Sequence, residues 1–220
     1  MYKTETHLHT SESSPCSQVS AAEMVNLYHK AGYKTIIVTD HFIQKYLDSY
    51  DGECWENAVD RFFLGYRKAK EEGDKLGVNV IMGTEMHLLN VQGDYLLYGI
   101  TPEILYRYPG ICSMTHEEFY KAMHENNVFV VQAHPRRGGG AYTDYNYIDG
   151  FEIINSNPRH NNFNDLVASE AEEHNLYVTA GSDAHRLDDY ALTGMISDEE
   201  IKTIDEFIEL VKSGKGRLIK

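Results

Sequence analysis

Five short runs in the chain hold residue types that bind metal ions. Thr6-His7-Leu8-His9-Thr10 places two imidazoles two residues apart. On an extended strand such residues project to one side, so His7 and His9 form a chelating pair. Asp40-His41, Glu85, His134-Pro135 and Asp183-Ala184-His185 offer comparable donors, each just past an apolar run. Neutral imidazole and carboxylate oxygen suit borderline to hard divalent ions such as Zn²⁺, Mn²⁺ or Fe²⁺. One ion that keeps a position open for water takes about four protein ligands at most. His7, His9, Asp40, His41, Glu85, His134, Asp183 and His185 are too many for one ion and suit two or three bridged by carboxylate. Ions about 4 Å apart activate a shared water at neutral pH and clamp both oxygens of an in-line displacement. That is chemistry for phosphoester hydrolysis, and it also serves amides and esters.

Donors so distant in sequence meet only if strand ends converge. Tyr2 to Thr6 alternates and predicts a short strand running into His7. After the polar loop Ser11 to Cys16, Ser20 caps a helix with Glu23 three residues later, Met24, Leu27, Tyr28 and Ala31 share a face, and Gly32 stops it. Thr35 to Thr39 is a β-branched run of the kind buried on both faces, and it ends on Asp40-His41. Val59, Phe62, Phe63, Tyr66 and Ala69 predict one helix from Trp55 to about Lys75, closed by Gly77. Val78 to Met82 is a strand delivering Glu85, and Gly93 to Ile100 is another with Asp94 at its start. One or two helical turns over Pro102 to Tyr108 and a helix from Thr115 to Asn126 lead to the strand Val128 to Ala133 and to His134. Arg136 to Tyr147 is a glycine- and tyrosine-rich loop. The strand Phe151 to Ile154 ends at Asn155, a helix spans about Asn162 to His174, and Tyr177 to Ala180 delivers Asp183 and His185. A helix from about Asp198 to Lys212 and a tail from Arg217 to Ile219 finish the chain.

This βα alternation with buried strands predicts a parallel sheet, and about seven such units predict an α/β barrel whose strand ends share one face. No linker or repeat interrupts it, so residues 1–220 read as one domain. With 42% apolar and 25% charged residues the composition is that of a globular protein. No apolar run approaches the roughly 20 residues of a membrane span, and the N-terminus carries no apolar signal core, which leads us to expect a cytoplasmic protein away from membranes. Cys16, Cys54 and Cys112 are too few and too scattered for a disulfide framework or a CxxC zinc site. A formal net charge of −14 argues against a nucleic-acid partner, which needs Lys and Arg to displace counterions. A small phosphorylated substrate remains compatible, because bound metal ions are locally cationic. Oligomeric state leaves no signal.

Taken in order, His7-Leu8-His9-Thr10, Thr39-Asp40-His41, Gly83-Thr84-Glu85, Ala133-His134-Pro135 and Gly181-Ser182-Asp183-Ala184-His185 resemble the motif series of the PHP (polymerase and histidinol phosphatase) superfamily over nearly the whole chain. The resemblance implies a distorted seven-stranded TIM-like barrel, a centre of two or three divalent ions and phosphoesterase activity. It puts His7, His9, Glu85 and Asp183 on one metal, lets Glu85 bridge to a second held by His134, and gives His41 and His185 to a third. Two positions depart. Relatives often carry a histidine where this chain has Asp94, which is expected to serve as an oxygen ligand instead. The first loop usually supplies His or Asp; here it offers Glu12, serines and Cys16, and Glu12 is taken as the ligand.

Other side chains have less definite expectations. Asp40 either binds metal or holds a ligating imidazole. Arg136, beside Arg137 and Gly138-Gly139-Gly140, is expected to clamp phosphate, since its guanidinium fork matches phosphate oxygens; Arg137, and Arg159 after Asn155, are further candidates. Tyr142, Tyr145 and Tyr147 can line a pocket, and His87 lies two residues past Glu85. His29, His116, His124, His160 and His174 are expected to pack or face solvent. The expected activity is hydrolysis of a phosphomonoester, with Glu85 and Asp183 holding the reactive centre and Arg136 the phosphate. Hydrolysis at a carbon centre, as in amidohydrolase-type barrels, and a non-catalytic metal-binding domain are the alternatives.

Overall fold

The computed structural model describes residues 1–49, 54–139 and 144–219; Gly140 and Tyr142 lie outside them. The chain begins with strand β1 (Tyr2–Leu8), helix α1 (Ala21–Lys30), β2 (Tyr33–Val38), a two-residue β3 (His41–Phe42) and the short α2 (Gln44–Leu47). Helices α3 (Trp55–Phe62) and α4 (Leu64–Leu76) precede β4 (Asn79–His87), β5 (Asp94–Tyr98), α5 (Pro102–Tyr106) and α6 (His116–His124). The remainder is β6 (Phe129–Ala133), β7 (Gly150–Asn155), α7 (Asn164–Glu173), β8 (Tyr177–Gly181), β9 (Gly194–Ser197), α8 (Ile204–Lys212) and β10 (Arg217–Ile219).

The strands form one sheet in the order β10-β9-β1-β2-β4-β5-β6-β7-β8. It curls until the end of β8 meets β1, where Ala184 bridges Leu8 and the Asp183 N–H donates to the His7 carbonyl at 2.7 Å. The result is the nearly closed, distorted TIM-like barrel expected. The sheet is mixed rather than wholly parallel: β5 runs antiparallel to both β4 and β6, and β9 to both β1 and β10. Between β4 and β5 there are too few residues for a crossover helix, and a connection that short can only return the chain antiparallel.

Two other expectations shift. The long helix of 55–75 breaks at Phe63, whose backbone leaves helical geometry. Phe62 and Phe63 are consecutive and both buried, and the break lets both rings enter the core. The last helix starts at Ile204, because Thr203 and Glu206 close a reciprocal capping box there; the residues before it include β9, a strand the sequence pattern does not predict.

The barrel's inner face explains why the site sits at one end. Ile37, Ile81, Leu96, Tyr98, Phe129 and Val131 form a core cluster with Phe207 and Val211 of α8. The same face of β4 continues through Gly83 to Glu85 and His87, because side chains alternate with a period of two. The apolar residues fill one end of the barrel, and the ligand types lie at the other. Outside it, α1 and α4 cover β1 and β2 through Met24, Val25, Tyr28 and Ala69.

Candidate metal centre

The His7 and His9 Nε2 atoms face each other at 3.0 Å, and both rings are buried. Around them, Glu85 Oε2 lies 3.4 Å from His7 Nε2, 3.3 Å from His9 Nε2 and 2.8 Å from His41 Nδ1. Asp183 Oδ1 lies 3.5 Å, 3.2 Å and 3.4 Å from His7 Nε2, His9 Nε2 and His185 Nδ1. Glu85 Oε2 and Asp183 Oδ1 are both buried, and neither receives a hydrogen bond. A buried carboxylate oxygen left without a donor costs about 1–3 kcal/mol or more, whereas a cation among these lone pairs satisfies all of them. The donor set therefore fits divalent ions. Among the described residues, three overlapping groups have ligand atoms within 4.8 Å of one another: His7, His9 and Glu85; Glu85, Asp94 and His134; His9, His41 and His185.

The backbone aims these side chains. β1 carries a register irregularity against β2 between Glu5 and Leu8, just where the chelating pair begins. Such bulges re-aim side chains beside functional sites. His134 and Asp183 leave their strands in the left-handed region, at φ 30° and 51°. Non-glycine residues persist there only where their surroundings hold them. Here the His134 N–H donates to Glu152 Oε2 at 3.0 Å, and the Asp183 N–H is held by His7.

Buried carboxylates behind the ligands set their orientation. Glu152 Oε1 accepts from His7 Nδ1 at 2.8 Å, which fixes the ring and turns Nε2 toward His9, Glu85 and Asp183. Gly181 makes this contact possible, since a Cβ there would come within 2.4 Å of His7 Cβ and 2.7 Å of Glu152 Oε1. Glu5 accepts from the N–H groups of Thr6, His7 and Ser182 and from the hydroxyls of Ser182 and Tyr28, which ties β1 to the end of β8. Asp189 accepts from the N–H groups of His185 and Arg186 and pairs with Arg159. Motif spacing does not single out Glu5, Glu152 or Asp189. For the first two the available signal is a lone carboxylate inside a strand whose neighbours are buried.

Electrostatics follow from this crowding. Burial works against a charged His7, but the carboxylates of Glu152, Glu85 and Asp183 overcome it and hold the ring well above the usual histidine range. His41 is raised in the same way, chiefly by Glu85 against burial. Burial and the neighbouring His41 and His185 push His9 well below that range, so it stays neutral and ready to ligate. Burial opposes ionisation of Glu85 and Asp183 as well, yet the surrounding imidazoles, with Arg137 beside Asp183, keep both carboxyls well below their usual range.

Several expected roles are placed elsewhere. Glu12 does not reach the imidazoles: its carboxylate accepts from the Ala21 N–H at 2.8 Å, capping α1, where unpaired N–H groups and the positive helix end attract an anion. Arg136 turns outward and grips Glu170 of α7, Nη2 to Oε1 at 2.5 Å and Nε to Oε2 at 3.2 Å. Arg137 turns inward in its place, donating to Asp183 Oδ2, Asn155 Oδ1 and Asn162 Oδ1. Asp40 supports rather than joins the donor groups, accepting from the Thr10 N–H, the Thr10 hydroxyl and the Ser14 hydroxyl; burial raises it to about 6. Asp94 does join Glu85 and His134, and its Oδ1 lies 2.8 Å from His87 Nδ1. Tyr145 stacks on His174, and Tyr147 packs against His116.

A pocket of about 340 Å³ opens over the donors, lined by Cys16, His41, Tyr46, Asp94, His134, Arg137, Asn157, Arg159, His160, His185 and Arg186. Three arginines line this opening, Arg137 paired with Asp183 and Arg159 with Asp189. Burial raises the Cys16 thiol, but hydrogen bonds with His185 and His41 and their positive charge outweigh it, bringing the thiol down to about 6. A larger pocket, about 540 Å³, is edged by Asp198, Glu199, Glu200, Asp205, Glu206 and Glu209 and holds none of these donors.

Solved structures share the fold. The chain matches a two-domain protein from Bacteroides vulgatus described as containing a predicted PHP-like metal-dependent phosphoesterase, at 14% identity and TM-score 0.70, with 99% of this chain and 64% of that one covered. A protein from Bifidobacterium adolescentis assigned as a metal-dependent phosphoesterase matches at 14% identity and TM-score 0.59, over 96% of both chains. An amidohydrolase from Chromobacterium violaceum, with bound sulfate and no metal, matches at 13% identity and TM-score 0.59, over 85% of this chain and 89% of that one. No curated protein matches the sequence. The sequence profile of the PHP domain matches residues 5–216, and the chain belongs to the PHP-domain family.

Proposed function

We propose that the protein hydrolyses a small phosphomonoester in the cytoplasm, using two or three Zn²⁺, Mn²⁺ or Fe²⁺ ions. One observation carries the reading: buried imidazoles converge with Glu85 Oε2 and Asp183 Oδ1, two buried carboxylate oxygens that receive no hydrogen bond, beside a pocket walled by Arg137, Arg159 and Arg186. His7, His9, Glu85 and Asp183 would hold one ion, Glu85, Asp94 and His134 a second, and His41 with His185 a third. Divalent ions bound there supply water activation and neutralise the charge that builds on phosphoryl oxygens.

The protein's own groups do the positioning. Glu152 and Asp189 fix the His7 ring and the His185 backbone, so little reorganisation accompanies substrate entry. Arg137, already anchored by Asn155 and Asn162, presents a planar cation where a phosphate dianion would lie. A pocket of this size takes a small molecule such as a sugar phosphate or nucleotide, and the chain's charge of −14 disfavours a long nucleic acid.

Hydrolysis of p-nitrophenyl phosphate after reconstitution with each of the three ions tests this. His7→Ala and Asp183→Ala should abolish turnover; activity that survives them, or persists in chelator, would sink the proposal. The likeness to an amidohydrolase barrel favours hydrolysis at a carbon centre as the second reading. A panel of amides and lactones alongside phosphoesters separates the two.

A further inference from the structure

The pocket over the donors has a neighbour at this end of the barrel. A second hollow, of about 260 Å³, lies against it, and Asp94, His134 and Arg137 wall both. A phosphoryl group held by Arg137 beside these donors has the second hollow next to it. Gln92, Gly93 and Gln132 also line the hollow, and none of them belongs to a donor group.

These walls are held in place. The β4–β5 link is fastened at both ends: the Leu89 N–H donates to the Cys112 carbonyl at 2.8 Å, and the Gln92 carbonyl accepts from the Tyr95 hydroxyl at 3.0 Å. Gly93 sits at φ 93°, and a Cβ there would come within 2.8 Å of Gln132 Nε2, so glycine suits both the backbone and the closeness of the amide. Gln132 is 1% exposed and lies inside β6. On the same face of that strand Val130 joins the apolar cluster of Phe119 and Met123 from α6. Gln132 departs from this apolar pattern and brings two N–H donors and a carbonyl acceptor to the wall of the hollow.

Size, charge and polarity together define what fits. The hollow falls below the roughly 300–1,000 Å³ of pockets that take drug-sized ligands, so it holds one small group rather than a nucleoside. Arg137 is its one guanidinium or ammonium among the described residues and is paired with Asp183, while Asp94 adds a carboxylate. A second phosphate would meet that carboxylate rather than a further cation, whereas Arg159 and Arg186 lie in the other pocket. Side-chain amides pair with hydroxyl groups, and an apolar group would leave them without partners, which is how such sites discriminate.

We propose that the hollow at Gln92, Gly93 and Gln132 is the leaving-group subsite and that it selects a neutral, hydroxyl-bearing alcohol, which makes the substrate a sugar or polyol monophosphate. In its hydrolysis the bond between phosphorus and the alcohol oxygen breaks, the oxygen of one water bonds phosphorus, and one proton of that water ends on the alcohol. Gln132 meets the hydroxyls from a buried position and Gln92 from the exposed rim. The substrate class rests on the phosphomonoester reading above, whereas the alcohol site can be read without turnover.

Two measurements on the full-length protein test it. In steady-state assays at least one of glycerol, pentose and hexose monophosphates should exceed p-nitrophenyl phosphate in kcat/KM, and a hexose bisphosphate should fall below the hexose monophosphate. Gln92→Ala, a change at an exposed side chain, and Gln132→Leu should each lower the ratio of kcat/KM for the sugar phosphate to that for the nitrophenyl ester about tenfold, as loss of one hydrogen-bonding partner does. In saturation-transfer NMR, which needs no reaction, the free alcohols should receive magnetisation from the protein and lose it in the same variants. Alcohol binding that the variants abolish, without turnover of any phosphoester, supports the subsite and overturns the proposed reaction. Turnover of p-nitrophenyl phosphate with no preference for a sugar monophosphate, or with the bisphosphate preferred, overturns the subsite and leaves the reaction standing. Neither binding nor turnover overturns both.

Discussion

Nδ1 of His7 rests 2.8 Å from Oε1 of Glu152, and both groups are wholly buried. The other Glu152 oxygen takes the N–H of His134 and the amide of Asn155, so one carboxylate orients two expected ligands of different ions. Replacing it by glutamine puts an NH₂ group against one of these donors. Glu152→Gln is expected to weaken metal binding about 10–100-fold, the usual effect of losing a ligand's hydrogen-bond partner. Calorimetric titration of metal-free protein measures this; unchanged affinity would show that His7 needs no such support.

Arg136 and Arg137 are adjacent yet face opposite ways, one to Glu170 and one to Asp183. Arg137→Ala should lower kcat/KM on the order of 100-fold, as loss of a charged group aimed at the reacting phosphoryl does. Arg136→Ala should keep kcat/KM near its starting value and cost about 1 kcal/mol of stability through the partly exposed ion pair. Steady-state kinetics and thermal melts on both variants decide it, and the reversed pattern would return the clamp to Arg136.

Stability of the metal-free protein should depend on pH in a direction set by the imidazoles. His7, His41 and His185 are raised above 6.5, so their contribution is complete below pH 6.5 and fades as pH climbs through their raised values. Glu85 and Asp183 lie below 4.5 and 3.8, so their contribution holds above those values and fades as pH falls through the lowered ones. Cys16, lowered from 9.0 to about 6, works against the loss above neutrality, but as one thiolate against three imidazoles. The metal-free chain should therefore be most stable between about pH 4.5 and 6.5. Zinc displaces the imidazole protons, so the rise in Tm on adding zinc should be larger at about pH 8 than at about pH 6. Thermal melts at both pH values check this, and an equal or smaller rise at the higher pH would contradict it.

The donors at the strand ends were legible in the sequence because ligand chemistry restricts residue type, and an HxH pair or an Asp-Ala-His run is conspicuous after an apolar strand. The carboxylates behind them were not. Glu5 and Glu152 sit inside strands, where a lone acid reads as an outward-facing residue until a bulge at β1 and the absence of a Cβ at Gly181 show where it points. The opposite courses of Arg136 and Arg137, and the turn of Glu12 toward α1, follow from which way a loop rotates. That depends on the left-handed backbone at His134 and on the pull of the α1 N-terminus, both products of tertiary contacts. The mixed sheet was hidden for a related reason: strand patterns report burial, whereas direction follows from the length of the connection.

Gly181 and Gly214 separate packing at the centre from backbone strain elsewhere. A Cβ at Gly181 would meet His7 Cβ at 2.4 Å and Glu152 Oε1 at 2.7 Å, so one or both must move. Gly181→Ala is expected to cost about 1–3 kcal/mol, the range for overpacking a filled interior, and to weaken metal binding by disturbing the His7–Glu152 contact. Gly214 lies after α8 at φ 66°, and a Cβ there would have nothing within 4 Å, so Gly214→Ala meets only the left-handed backbone penalty. That penalty is about 1 kcal/mol, and metal affinity should be untouched. Chemical denaturation and metal titration on the two variants read stability and binding independently. A loss of stability in Gly181→Ala with full metal affinity would show that the centre tolerates displacement of His7, and would remove Gly181 from the residues that shape it.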